Sequence, residues 1–142
     1  MDATDRRIVA LLRENARRSF SDIGKHVHLS APAVKRRLDR LERDGVVLGY
    51  TAVVDPEAFG WHAEAFVDLY CDGNMAGSAI KQAVQKEAGV VSAHTVAGEA
   101  SALLHVMAED TKSLELALER IRATQGVTRT VTEIVLSTLF TR

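Results

Sequence analysis

The stretch HLSAPAVKRRLDRLERDGVVLGY, residues 28–50, decides how the first third of the chain folds. It holds five of the protein's 18 lysines and arginines, although the formal net charge of the whole chain is only -1. Ser30 is suited to cap a helix. Pro32 then falls within the first turn, where its missing N–H costs nothing, and Gly45 can close the far end in a left-handed conformation. The spacing predicts a helix over residues 31–44. Val34, Leu38 and Leu41 recur at i, i+4 and i+7 and form its buried stripe. Turning through ~100° per residue carries Arg36, Arg40 and Arg43 to the opposite side, with Lys35 and Arg37 on the flanks.

Two shorter helices precede it. In residues 4–16, with Thr4 or Asp5 at the start, Ile8, Leu11, Leu12 and Asn15 share one face. In residues 19–27, Ser19 can cap, Asp22 sits three residues on, and Phe20, Ile23 and Val27 lie on one side. Beyond Gly45, VVLGYTAVV is rich in Val, Tyr and Thr around a glycine and predicts a small hairpin. Three helices, a tight turn before the third and a hairpin make a winged helix-turn-helix over residues 1–54. In that geometry the third helix enters the DNA major groove, its first turns against base edges and its later basic residues on phosphates.

The charge balance agrees. Residues 1–50 carry 11 Lys+Arg against 7 Asp+Glu, or +4, whereas residues 51–142 carry 7 against 12, or -5. A basic module joined to an acidic one suits a chain whose first part alone meets a polyanion. Arg36 and Arg40 are the leading candidates for base or phosphate contact, because a bidentate arginine on guanine is worth about 1–3 kcal/mol of discrimination. Ser30 can serve as cap and as phosphate donor, and Ala33 and Lys35 belong to the same DNA-facing set. Lys25, Arg37 and Arg43 are placed for the DNA backbone, where each neutralised phosphate releases counterion. The competing reading is a solvated face on which Asp39, Glu42 and Asp44 pair with these cations.

Residues 55–62, DPEAFGWH, read as a linker. From residue 63 the pattern changes: Ala63, Ala65, Val67, Leu69 and Cys71 alternate with Glu64, Phe66, Asp68, Tyr70 and Asp72, which predicts a strand. A helix follows to Gly89, with Ala76, Ile80, Ala83, Val84 and Glu87 at helical spacing. Two strands, VVSAHTVAG and ALLHVMAED, flank GEAS. A helix with Leu114, Ala117, Leu118 and Ile121 inward, and a final strand over VTRTVTEIVLSTLF, complete the order β-α-β-β-α-β. That is the split, ferredoxin-like arrangement, and the whole chain is α+β. Its second sheet face carries Phe66 and Tyr70 among acids, which suits a partner surface and a dimer.

Other classes fall away. Hydrophobic residues at 46% and charged residues at 26% argue against disorder or a fibrous repeat. The N-terminal MDATDRRIVALLREN lacks the apolar core of a signal peptide, and no apolar run approaches the ~20 residues of a membrane span, so a cytoplasmic protein is expected. A single Cys71 and five scattered histidines give no metal-ligand spacing, and Cys71 reads as a small core or interface hydrophobe, His94 and His105 as strand residues. No nucleophile–base pair, phosphate loop or paired catalytic carboxylates stand out, so no catalytic residue, metal or cofactor is expected.

Across nearly its whole length, TDRRIVALLRENARRSFSDIGKHVHLSAPAVKRRLDRLERDGVVLGYTAVVDPEAFG and then VAGEASALL, the chain resembles the Lrp/AsnC or feast/famine regulators. The run RLERDGVVLGY is especially close to that family's pattern. The resemblance implies a prokaryotic transcription factor with a winged helix-turn-helix, a connecting strand and an effector domain over residues 63–142 that dimerises through its sheets. It further implies assembly to tetramers or octamers on double-stranded DNA, and an amino acid or related metabolite as effector. The effector loop falls on Gly98, Glu99, Ala100, Ser101 and Ala102. Here the family commonly reads Gly-Asp-x-Asp-Tyr, so this chain keeps the glycine and one acid but lacks the second carboxylate and the ring, leaving fewer acceptors for an ammonium group. His28 stands where the family has glycine in the turn before the third helix. Two other functions fit the same architecture: an architectural DNA-binding protein of low sequence specificity, and an enzyme subunit similar to the sirohaem decarboxylases, for whose anionic macrocycle the acidic second half is a poor host.

Overall fold

In the computed structural model, which describes residues 1–73 and 75–140, the first helix α1 spans Ala3–Glu14. Its cap is Asp2, not Thr4 or Asp5. The Asp2 carboxylate accepts the Asp5 N–H at 2.8 Å while the Asp5 carboxylate accepts the Asp2 N–H at 2.9 Å, a reciprocal capping box. Asn15, assigned to the apolar face by its spacing, is instead the exposed residue that ends the helix.

Helix α2 is Phe20–Val27, and Ser19 Oγ accepts the Asp22 N–H at 3.1 Å as expected. His28 ends it in the left-handed region, at φ 56° and ψ 43°, so the turn survives without the glycine. Gly24 makes the turn possible in another way. A Cβ there would fall on the Leu29 carbonyl oxygen, so α2 and the turn approach more closely than any side chain permits. Helix α3, Ala31–Arg43, is capped by Ser30, holds Pro32 in its first turn and is followed by Gly45 at φ +69°. Ile8, Leu11, Leu12, Ile23, Val34 and Leu38 form the core of this unit, with Val27, Leu29 and Val47 packed against it.

The expected hairpin is absent: residues 46–54 form no strand. Apart from Val47, their strand-favouring side chains lack a surface to pack on, with Leu48 93% and Val53 88% exposed, and β propensity without a packed face does not hold a strand. The first unit is thus a helix-turn-helix without a paired wing.

The chain divides into two compact units, Met1–Val53 and Val54–Arg142. The second opens with a short helical turn, Glu57–Phe59, followed by β1 (Ala63–Cys71), α4 (Gly77–Val84), β2 (Val90–Thr95), β3 (Ala102–Ala108), α5 (Thr111–Arg122) and β4 (Val127–Ile134). All pairings are antiparallel, in the order β2-β3-β1-β4. Ala65, Val67 and Leu69 of β1 and Ala102, Leu104, Val106 and Ala108 of β3 turn one face to the helices. There they meet Ile80 and Val84 of α4 and Leu114, Ala117 and Ile121 of α5. Two elements are shorter than expected. Helix α4 stops at Val84, short of Glu87, whose carboxylate instead accepts Arg120 Nε at 2.6 Å. Strand β4 stops at Ile134, and Leu136 beyond it is 95% exposed.

Candidate nucleic-acid interface and effector loop

Helix α3 buries Val34, Leu38 and Leu41 and turns its cations away from them, but those cations differ in what holds them. Lys35 Nζ meets Asp39 at 2.6 Å and Arg43 Nε meets Asp44 at 3.1 Å, so part of the solvated-face reading is realised. Glu42 accepts instead from the Tyr50 hydroxyl at 2.7 Å; burial, with the neighbouring carboxylate, pushes that phenol up to about 12. Arg36 is exposed and has no hydrogen-bond or ion-pair partner among the described residues. The same holds for Lys25 on α2. Ser30 Oγ accepts the Ala33 N–H at a long 3.4 Å, and its own proton remains available to an acceptor. Ala33 is half-buried in the first turn of α3.

Arg37 and Arg40 do not simply face solvent. Arg37 Nη1 lies 2.6 Å from Asp2 and 2.8 Å from Asp5, and Arg40 Nη2 lies 2.7 Å from the other oxygen of Asp5. Asp5 is only 1% exposed, a buried carboxylate whose oxygens are shared among two guanidiniums and a backbone N–H. The Arg37 guanidinium, with the Asp5 N–H, holds Asp2 down at about 2. The Asp2 N–H, with Arg37, lowers Asp5 against its burial. Sequence reasoning missed this α1–α3 clamp. Its one visible signal was an acid at each end of the capping box, at residues 2 and 5.

In the second unit, residues 96–101 connect β2 to β3. Gly98 and Glu99 are exposed, Glu99 without a partner among the described residues, and Ala100 is half-buried. Ser101 ties the loop to β1: its N–H donates to the Leu69 carbonyl at 2.8 Å and its Oγ accepts the Cys71 N–H at 3.1 Å. Burial pushes the Cys71 thiol up. Ala102 is 1% exposed and belongs to the core, so its side chain cannot reach a ligand. Beside the loop, a cleft of about 550 Å³ runs between α4 and the edge strand β2, lined among others by Gly77, Ile80, Lys81, Val91, His94 and Thr95.

The sheet face away from the helices carries an aromatic and charged array. The Phe66 ring stacks on the His105 imidazole, whose Nε2 lies 2.7 Å from Glu64. The Arg129 guanidinium carbon sits 3.9 Å from the centre of the Tyr70 ring. Among the described residues no three metal-ligating side chains gather, and no helix is long and apolar enough to cross a membrane.

Comparison with known proteins converges on these two units. A family model described as an AsnC-type helix-turn-helix domain matches residues 1–42, and one described as the Lrp/AsnC ligand binding domain matches residues 64–142. The HTH-type transcriptional regulator Rv2324 of Mycobacterium tuberculosis is 49% identical over 142 residues, covering 100% of this chain and 96% of its own. The regulator LrpA of the same organism is 38% identical over 141 residues, covering 99% and 93%. Among solved structures, the M. tuberculosis feast or famine regulatory protein Rv3291c, complexed with L-methionine, superposes with a TM-score of 0.91 at 37% identity, covering 99% of this chain and 95% of that one. A catalytic role such as tetrapyrrole decarboxylation is set aside, because the named relatives are regulators. The chain belongs to the Lrp/AsnC family and is a DNA-binding transcriptional regulator.

Proposed function

We propose that α3 reads a specific DNA sequence through the major groove, with Arg36 as its principal base-contacting residue. The observation that carries this is the contrast along one helix. Every other cation of α3 has a carboxylate partner, whereas Arg36 points outward with its guanidinium unengaged. An arginine left free of intramolecular partners pays no exchange of ion pairs on meeting guanine. Ala33 and Lys35 flank that contact, while Ser30, Lys25, Arg37, Arg40 and Arg43 meet phosphates.

The regulator acts in the cytoplasm as a homodimer assembled through the sheet face bearing Phe66 and Tyr70, and dimers associate further on DNA. Residues 55–62 join its two domains. A small metabolite bound at Gly98, Glu99, Ala100 and Ser101 modulates it, and the methionine complex of the mycobacterial neighbour supports an amino-acid-like effector. With Glu99 as the loop's one carboxylate, the effector's ammonium group would depend on backbone carbonyls for its other contacts.

The test is enrichment of fragments from a randomised DNA pool, followed by anisotropy titrations of the enriched fragment and a scrambled one of equal length. Preference for the enriched fragment, lost in Arg36→Ala, supports the proposal. Equal affinity for both fragments would make the protein an architectural binder of low specificity.

A further inference from the structure

We propose that Asp5 is a positioning residue for DNA binding: it grips one edge of the Arg40 guanidinium so that the opposite edge stands ready for a backbone phosphate. This rests on the proposed reading of DNA by α3 and adds a residue of α1 that touches no DNA.

The geometry carries the inference. Arg40 gives a single nitrogen, Nη2, to Asp5 at 2.7 Å, and its side chain remains 43% exposed. A guanidinium has five N–H donors in a rigid planar fork, so anchoring one edge leaves the others free and fixes the plane in which they point. Arg37 is held differently. Its Nη1 is shared between Asp2 and Asp5 and its side chain is 30% exposed, which makes it a strut between α1 and α3. Asp5 itself cannot move: it is 1% exposed, it closes the capping box on the Asp2 N–H, and both its oxygens are engaged. A rigid acceptor behind a half-exposed arginine spares that arginine the cost of ordering when it meets a phosphate. Arg36 has no such support, so the two arginines are prepared for different tasks.

Charge and positioning predict opposite signs for one substitution. Asp5→Asn removes a negative charge from the DNA-binding unit, and on charge alone it should tighten binding. If Asp5 positions Arg40, the substitution weakens binding instead, by roughly 2- to 10-fold, the cost of ordering one long side chain. The loss should be equal on enriched and scrambled fragments, since phosphates carry no sequence. It should also disappear in an Arg40→Ala background, because there is then nothing left to position. Arg40→Lys supplies a second route should Asp5→Asn lower the unfolding temperature below the assay temperature. An ammonium paired with Asp5 has no second planar edge, so this variant should bind as weakly as Arg40→Ala.

The experiment is anisotropy titration of the full-length parent, the three single variants and the Asp5→Asn, Arg40→Ala double variant on both fragments at two salt concentrations. Weaker binding by Asp5→Asn, absent from the Arg40→Ala background, supports the inference. Tighter or unchanged binding by Asp5→Asn, or parental affinity in Arg40→Lys, overturns it while leaving the reading by Arg36 in place. A parent that binds both fragments equally overturns the proposed sequence-specific reading alone, whereas a parent that binds neither overturns that reading and the positioning role with it.

Discussion

The ring of Phe66 lies 4.7 Å from the imidazole of His105, with the two planes inclined by only 16°. The stack joins adjacent strands across the β1–β3 register and sits on the sheet face opposite the helices, where Phe66 remains 37% exposed. Stacking braces both rings as a flat platform, and the Glu64 carboxylate 2.7 Å from His105 Nε2 fixes the imidazole in place. A face of this kind suits a second copy of itself in a two-fold arrangement.

Light scattering at micromolar concentration should therefore report a dimer or a multiple of it. Phe66→Glu, which places like charges opposite one another in a two-fold interface, should shift the protein toward monomer. A monomeric parent would remove this face from the interface.

Acid should loosen the first unit through the α1–α3 clamp. The Asp2 carboxyl is depressed from its ordinary 3.8 to about 2, and Asp5 is lowered as well. A depressed carboxylate contributes stability that is fully present above its unfolded value and lost as pH falls through the folded one. Thermal unfolding monitored by circular dichroism should thus decline between pH 3.8 and about 2. Asp2→Asn should flatten that decline; an unchanged acid limb would show that the pair contributes nothing.

Gly24→Ala gives a decision by sign. At an ordinary helix position the change stabilises by about 0.5–1 kcal/mol. Here the new Cβ meets the Leu29 carbonyl oxygen, backbone that cannot step aside, so urea unfolding should show a loss of about 1–3 kcal/mol. A gain in stability would contradict the close approach of α2 to the turn.

What could be read from the residues was mostly local. Ser19 and Ser30 cap, Pro32 occupies a first turn, and Val34, Leu38 and Leu41 are buried, because a cap or stripe depends on neighbours within a few positions. The alternation in β1 likewise survived intact. The misreadings needed information from elsewhere in the chain. Val46 to Val54 has the composition of a hairpin, but a hairpin holds only against a packed face, and Leu48 and Val53 stay exposed. Arg40 rotates away from the core as expected, yet its partner is an aspartate 35 positions earlier. Ala102 entered the effector loop through the family resemblance, although the strand read over ALLHVMAED already placed it at the start of β3.

Reading by α3 is tested most directly by comparing the parent with Arg36→Ala on enriched and scrambled DNA at one salt concentration. If Arg36 contacts guanine, the ratio of the two affinities should fall by about tenfold in the variant, equivalent to ~1.4 kcal/mol, with an unchanged unfolding temperature. A ratio equal to the parent's would contradict Arg36 as the reader.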